Sequence, residues 1–435
     1  MSLNTAKFEA SYMIYSGSTG YYAKNGTTGK VDYSGSDAGL VIQNAITTLE
    51  INPILGGSIY VGDGVYTATE ILITASNISI FTNKMRKENT DRPVAVKQLS
   101  LIASGGNINN IKLQGLLINK LQFLPRDGYN IAYVTVRDCV FRCTDTYVPS
   151  ILFSGSNNYP STCYVMHVTF DNCRMHDYHT TGKGLVRWDY TGSGTAQIYF
   201  VNCSYQSQDN DVGPAFYVNG RVHFGLTNFS YEMMYGTATK TGSFLVLGSG
   251  STAYPVSLPN LNITDSLFEI HASGSLGRHV LFNLTGSYNA FGLHWNNNRI
   301  MCVDGLTDFV YNNITGYSTL TPADGITIDG GNITNVSKFS TGSMNISANF
   351  PVSIKNVRNY TTENNGTLTL TTWSGSTPHG LASTPANVLL TQTGSPGKVY
   401  GLGLGWYPSG STGIWIHQTG SATAQTFGVN WRAEV

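Results

Sequence analysis

Nine stretches of this chain obey one rule. "IKLQGLLI" (111), "VTVRDCVF" (134), "VTFDNCRM" (168), "IYFVNCSY" (198), "FGLTNFSY" (224), "LNITDSLF" (261), "LHWNNNRI" (293), "ITIDGGNI" (326) and "VSIKNVRN" (352) each open on alternating apolar residues. A small or amide residue then breaks the alternation, and a second short run follows. The breaking residues are Gly115, Asp138, Asn172, Asn202, Asn228, Asp265, Asn297, Gly330 and Asn356, spaced by about 23 to 37 positions. Alternation of period two marks strands, and Asn, Asp and Gly tolerate the left-handed backbone of a tight bend. The unit is therefore strand, sharp turn, strand, loop, with the loop absorbing the variation in length. One unit cannot bury its apolar face alone. Coiling successive units at the strand spacing of about 4.8 Å buries a continuous core and predicts a parallel β-helix.

The same register explains a stretch that resembles an active site, "VTFDNCRMHDYH" at 168 to 179. Its Cys173 follows a turn residue, as do Cys139 and Cys203, so the three are expected to stack as small side chains in consecutive coils. Counting seven beyond the turn residue reaches Asp145, His179 and Asp209, which line one edge where the loops begin. An exposed polar turn accounts for them more readily than a ligand or catalytic role does. None of the six cysteines forms a C-x-x-C pair, and a chain of 435 residues needs no disulfide staple, so no metal site or oxidised framework is expected.

Charged residues make up only 11% and balance, with 25 basic and 25 acidic, which excludes a basic face for nucleic acid or a polybasic membrane patch. No apolar run approaches the roughly 20 residues that span a bilayer, and the first residues lack a signal-peptide core. Membrane insertion and nucleic-acid partners are not expected.

Upstream of the repeat stands "SDAGLVIQNAITTLEINPILGGSIYVGDGVY". Asp37 is placed to cap a helix, and Leu40, Ile42, Ala45, Ile46 and Leu49 give that helix an apolar side. With this segment and the Asn-marked turns, the chain resembles the right-handed β-helix superfamily that includes pectate lyases, polygalacturonases and viral tailspikes. The resemblance covers roughly residues 35 to 365 and implies an amphipathic helix capping the first coil. It is specific for fold and says little about function.

Hydrolysis of a glycosidic bond needs two carboxylates about 5 to 9.5 Å apart, a separation neighbouring coils supply. Asp177, Asp209 and Asp211 are the catalytic candidates, in the region richest in acids. The Asp-Asp and Gly-His-Gly motifs of polygalacturonases are missing, and Ser353 stands where their Arg would be. A lyase would want calcium; "SQDNDVG" offers Asp209 and Asp211 but no further ligands. No cofactor is implied otherwise. Tailspike hydrolases share no short motif, so enzymatic activity stays open, as glycoside hydrolase or polysaccharide lyase.

After Glu363 the repeat stops and charge nearly vanishes, while Trp373, Trp406, Trp415 and Trp431 are four of the six tryptophans. Short alternating strands between Gly, Ser and Pro turns read as a small antiparallel sandwich. "TPHGLASTPANVLLT" and the final "FGVNWRAEV" resemble the carboxy-terminal module of viral tail-fibre proteins, which serves trimerisation or receptor binding. The expected division is an N-terminal segment at 1–34, the β-helix at 35–365 and the sandwich at 366–435. Asp145, His179, Trp406, Trp415 and Trp431 are the candidate ligand contacts. The leading expectation is a homotrimeric virion attachment protein, a tailspike or fibre on the virion surface that binds carbohydrate of a host. The alternatives are a polysaccharide-degrading enzyme and an extracellular or cell-surface adhesin.

Overall fold

The computed structural model describes residues 10–434 except 53, 63–64, 83–93, 127, 145–148, 155–162, 178–184, 190–195, 208–213, 220–221, 234–242, 248–256, 271–278, 288–289, 303–306, 316–324, 335, 342–351, 358–362, 371–373, 379–386, 394–402, 410–412 and 420–426. It divides into two compact units, Met1–Thr327 with Asn335–Val352, and Ile328–Thr334 with Ser353–Val435.

In the first unit, the strands before the turn residues form one parallel sheet. Gly57–Val61, Ile78–Phe81, Ile108–Gln114, Ile131–Arg137, Val165–Asp171, Ala196–Val201, Val222–Thr227, Ser257–Thr264 and Ala290–Asn296 lie side by side in that order. The strands after the turns make a second parallel ladder, Val140–Cys143, Arg174–Asp177, Ser204–Ser207, Ser230–Met233, Leu267–Ile270 and Arg299–Cys302. Beyond the loops a third follows, from Ile151–Ser154 through Val186–Asp189, Phe216–Asn219 and Ser243–Leu247 to His279–Ser287 and Thr307–Thr315. Three strands per coil, each pairing with its counterpart one coil away, define a parallel β-helix.

All nine expected turn residues have positive φ, from 50° to 75°. Gly115 shows why one of them carries no side chain: a Cβ there would lie 2.6 Å from Thr82 Cγ2. From Gly115 through Asp265, each turn N–H donates to the carbonyl before the next coil's turn, as from Asp138 to Asp171, Asn172 to Val201 and Asn202 to Thr227, all at 3.0 Å. Buried backbone polarity is thus satisfied at the tightest bend.

Inside the corner, Leu116, Cys139, Cys173, Cys203, Phe229, Ser266 and Asn298 form a buried column. The three cysteines stack as expected, with the thiols of Cys173 and Cys203 donating to Val136 O and Phe170 O, each at 3.4 Å. Ser266 and Asn298 continue the column by accepting from the N–H groups of Phe229 and Ser266, at 3.1 and 2.7 Å. Aromatic ladders fill the interior: Phe123 stacks on Phe153 and Phe170 on Phe200, both pairs with centroids 4.5 Å apart.

At the N-terminal end, the helix Ala38–Glu50 is capped by Asp37, which accepts from the N–H groups of Gly39 and Leu40 at 2.7 and 3.1 Å. Its buried side is Ala38, Val41, Ile42, Ala45 and Ile46, and Leu40 faces solvent. At about 100° per residue Leu40 lies far round the helix from Ile42, and Val41 takes the inward place. Tyr12–Gly17, Gly20–Asn25 and Val31–Gly35 precede the helix, and the first of them extends the first sheet beside Gly57–Val61.

The second unit holds two three-stranded antiparallel sheets. Glu363–Leu370, Phe427–Glu434 and Asn387–Thr393 make one; Ser374–Pro378, Gly413–Thr419 and Gly403–Ser409 make the other. Ile414 and Ile416 of one meet Val429 and Trp431 of the other in a buried cluster, flanked by Val388, Leu390, Leu404 and Trp406.

Candidate functional site

Two columns beside the corner point outward on the second ladder. Two residues past the turn stand Val140, Arg174, Ser204, Ser230, Leu267 and Arg299; four past it stand Arg142, His176, Gln206, Glu232, Glu269 and Met301. A concave site of about 410 Å³ lies against them, lined by Asn228, Ser230, Asp265, Leu267, Asn297 and Arg299, with Phe229 and Ser266 beneath. Its rim is the turn column itself, where Asn297 donates its amide to Asp265 Oδ1 at 2.7 Å. The lining combines side-chain amides, a hydroxyl, a carboxylate and a guanidinium around one apolar residue, a donor and acceptor set suited to a polyhydroxylated ligand.

One residue pair next to this cleft carries a chemical possibility. Glu232 and Glu269 are register partners on adjacent coils, so their backbones stand a strand spacing of about 4.8 Å apart in one outward column. Gln206 Nε2 donates to Glu232 Oε2 at 3.2 Å, orienting one of them. Glycosidic hydrolysis uses a pair of carboxylates on neighbouring elements, and this column supplies one. The pair stands four residues beyond Asn228 and Asp265, so the repeat register contains it, away from the acid-rich stretch at 171–211.

The sequence candidates fall differently. Asp177 ends the strand Arg174–Asp177 with its side chain inward, fully buried, in a column between Cys143 and Ser207. Its Oδ2 accepts from the hydroxyl of Tyr205 at 2.9 Å. Burial, with the negative charge of Asp177 next, pushes the Cys143 thiol well above its usual value. Asp145, His179, Asp209 and Asp211 lie outside the described residues. Trp431 is only 5% exposed in the sandwich core, and Trp406 is partly buried against it. Trp415 lies on the strand Gly413–Thr419, and its side chain is outside the description. Among the described residues no group of three or more His, Cys, Asp and Glu is placed to hold a metal ion, and no helix is long and apolar enough to cross a membrane.

No protein-family model matches the chain, and no curated protein matches it by sequence. Among solved structures it is similar to the tailspike protein gp49 of Pseudomonas phage LKA1, at 12% identity and a TM-score of 0.43, over 87% of this chain and 67% of that one. The tailspike gp61 of Pseudomonas phage phi297 is similar at 11% identity and a TM-score of 0.38, over 87% and 66%. The tailspike of E. coli bacteriophage HK620, solved in complex with a pentasaccharide, is similar at 12% identity and a TM-score of 0.31, over 94% and 91%. The chain thus spans about two thirds of the length of the two Pseudomonas phage proteins. By its own strand order, parallel register and left-handed corner column, the chain is a parallel β-helix protein.

Proposed function

We propose that this chain is a virion attachment protein of the tailspike or tail-fibre kind, displayed on the virion surface and binding a host-surface glycan through the corner cleft. The observation that carries this reading is the cleft itself: Asn228, Ser230, Asp265, Asn297 and Arg299 converge on a rigid lattice whose corner is hydrogen-bonded from coil to coil. Preorganised polar groups bind sugars without the ordering cost a flexible loop would incur. A chain with few charges and a terminal sandwich resembling tail-fibre modules fits the same role, and we take the assembly to be a homotrimer. Purified polysaccharides on a binding array test it: the chain should retain at least one, and Arg299→Ala should weaken retention without lowering the melting temperature. Retention of none would overturn the reading.

A second reading, cleavage of that glycan, is favoured by the Glu232–Glu269 pair. Under it Glu232→Gln and Glu269→Gln each abolish release of reducing ends while binding persists. Asp209 and Asp211 remain alternative catalytic carboxylates, tested by Asn replacement in the same assay. Asp177 is weaker in this role, because its carboxylate is shut inside the core.

A further inference from the structure

A second column of left-handed residues runs along the outer face of the first sheet, and its composition changes partway. Asn77, Asn110, Tyr133 and His167 have φ of 63°, 59°, 55° and 53°. Asn tolerates this conformation, and Asn110 Nδ2 donates to Asn77 Oδ1 at 3.0 Å, so two coils show that amides satisfy the fold. Tyr at positive φ is a backbone outlier, while His, like Asn, is found there more readily; the next two coils place Tyr133 and His167 in the column. Burial does not explain the choice: Tyr133 is 60% exposed and His167 is exposed too. Their rings stack with centroids 4.9 Å apart and an interplanar angle of 13°.

The neighbouring outward column repeats the pattern. Lys112, Thr135, Thr169 and Tyr199 are successive register partners, so an aromatic ring replaces a hydroxyl one coil after His167. The Tyr199 ring leans over the following coil because its partner there is Gly225, where a Cβ would sit 2.7 Å from Tyr199 Cδ1. Tyr199 remains 38% exposed. Three aromatic rings therefore occupy consecutive coils across two steps of about 4.8 Å, flanked by exposed Asn110 and Lys112 and half-buried Thr135 and Thr169.

We propose that Tyr133, His167 and Tyr199 form a second glycan-binding strip, on which the apolar faces of sugar rings stack while the flanking amide, hydroxyl and ammonium groups hold their hydroxyls. Stacked rings rimmed by hydrogen-bonding groups match a sugar, which has one apolar face and a polar edge; a protein partner would want a larger dry patch. The strip rests on the glycan reading above and extends it to a surface apart from the corner cleft.

The test uses the full chain, the array of purified polysaccharides and a titration with whichever polysaccharide is retained. Tyr133→Asn copies the residue the column already uses at Asn110, and Tyr199→Thr copies Thr169, so both variants are matched to the fold. The double variant should bind about tenfold more weakly or worse, with an unchanged melting temperature and unchanged sedimentation. Gly225→Ala, which displaces the Tyr199 ring, should shift affinity in the same direction. Affinity within about twofold of the parent in the double variant overturns the strip and leaves the cleft reading standing. Retention of no polysaccharide by the parent chain overturns the glycan reading and the strip with it. A change in sedimentation with unchanged affinity makes the strip a contact between copies and overturns the proposal.

Discussion

Asn228 donates its side-chain amide to Asn202 Oδ1 at 2.8 Å, and both residues hold left-handed backbones with φ of 51° and 54°. One residue type thus performs two tasks, tolerating the bend and linking it to the next coil. The column is a series of such links: Asn172 reaches Asp138 at 2.7 Å, while Asn202 reaches back to Asp171 at 3.4 Å. An uninterrupted amide ladder through Asn172, Asn202 and Asn228 is the simpler expectation. The diversion to Asp171, a carboxylate that also lies 3.4 Å from Arg137, shows that the strongest nearby acceptor wins.

Replacing Asn202 by Leu should destabilise the β-helix by about 1 to 3 kcal/mol, combining left-handed strain with the lost acceptor for Asn228. Asn202→Gly should cost less, since it removes only the hydrogen bonds. Urea midpoints of the three proteins check the order; equal midpoints for Leu and Asn would contradict it.

Tyr205→Phe removes the hydroxyl that donates to buried Asp177. We expect a loss of about 1 to 3 kcal/mol, the range for leaving a buried acceptor short of a donor. Thermal unfolding measures it, with Tyr217→Phe at a half-buried position as the comparison that should change little.

The thiols of Cys139, Cys143, Cys163, Cys173 and Cys203 are buried and not in disulfides. Burial pushes the Cys173 thiol well above its usual range, and its hydrogen bond with Cys203 adds to this. A water-soluble disulfide reagent should therefore leave all five unmodified at neutral pH until denaturant is added. Peptide mapping identifies the modified positions.

Tyr12 sits in the N-terminal strands with its hydroxyl donating to Asp32 Oδ2 at 2.9 Å. Burial first, and then this hydrogen bond, push its pKa up to about 12 from 10.0. The fold therefore favours the neutral phenol, and that stabilisation is complete below pH 10.0 and lost as the pH rises through about 12. Unfolding midpoints across this window should fall more steeply for the parent than for Tyr12→Phe.

Removing the residues after Glu363 should abolish association of the proposed trimer while the β-helix stays folded, as sedimentation and circular dichroism together would show. Trp431→Ala should act similarly by costing the sandwich about 3 to 5 kcal/mol, because its indole fills the small core. Full-length chain that sediments as a monomer at micromolar concentration would count against the trimer.

The coil, its corner residues and its buried cysteine column were all legible in the amino-acid sequence, because the period-two alternation and the demand for a left-handed bend are local and recur in every unit. The cap was legible in outline, with Val41 exchanged for Leu40 on the buried side. Candidate chemistry was harder to see. Asp177 reads as one acid among several, although the alternation that turns Met175 inward turns it inward too; coil pairing then sets it between Cys143 and Ser207. Glu232 and Glu269 are 37 positions apart in the chain and become neighbours through coil register. Tyr133, His167 and Tyr199 sit in ordinary alternating strands, and nothing local marks two of them as left-handed bulges. Periodicity alone determined which residues face in, where the chain bends and what stacks at the bend. Tertiary structure decided which outward side chains meet, since a one-residue bulge or a loop of different length moves a side chain relative to the next coil without disturbing the apolar pattern.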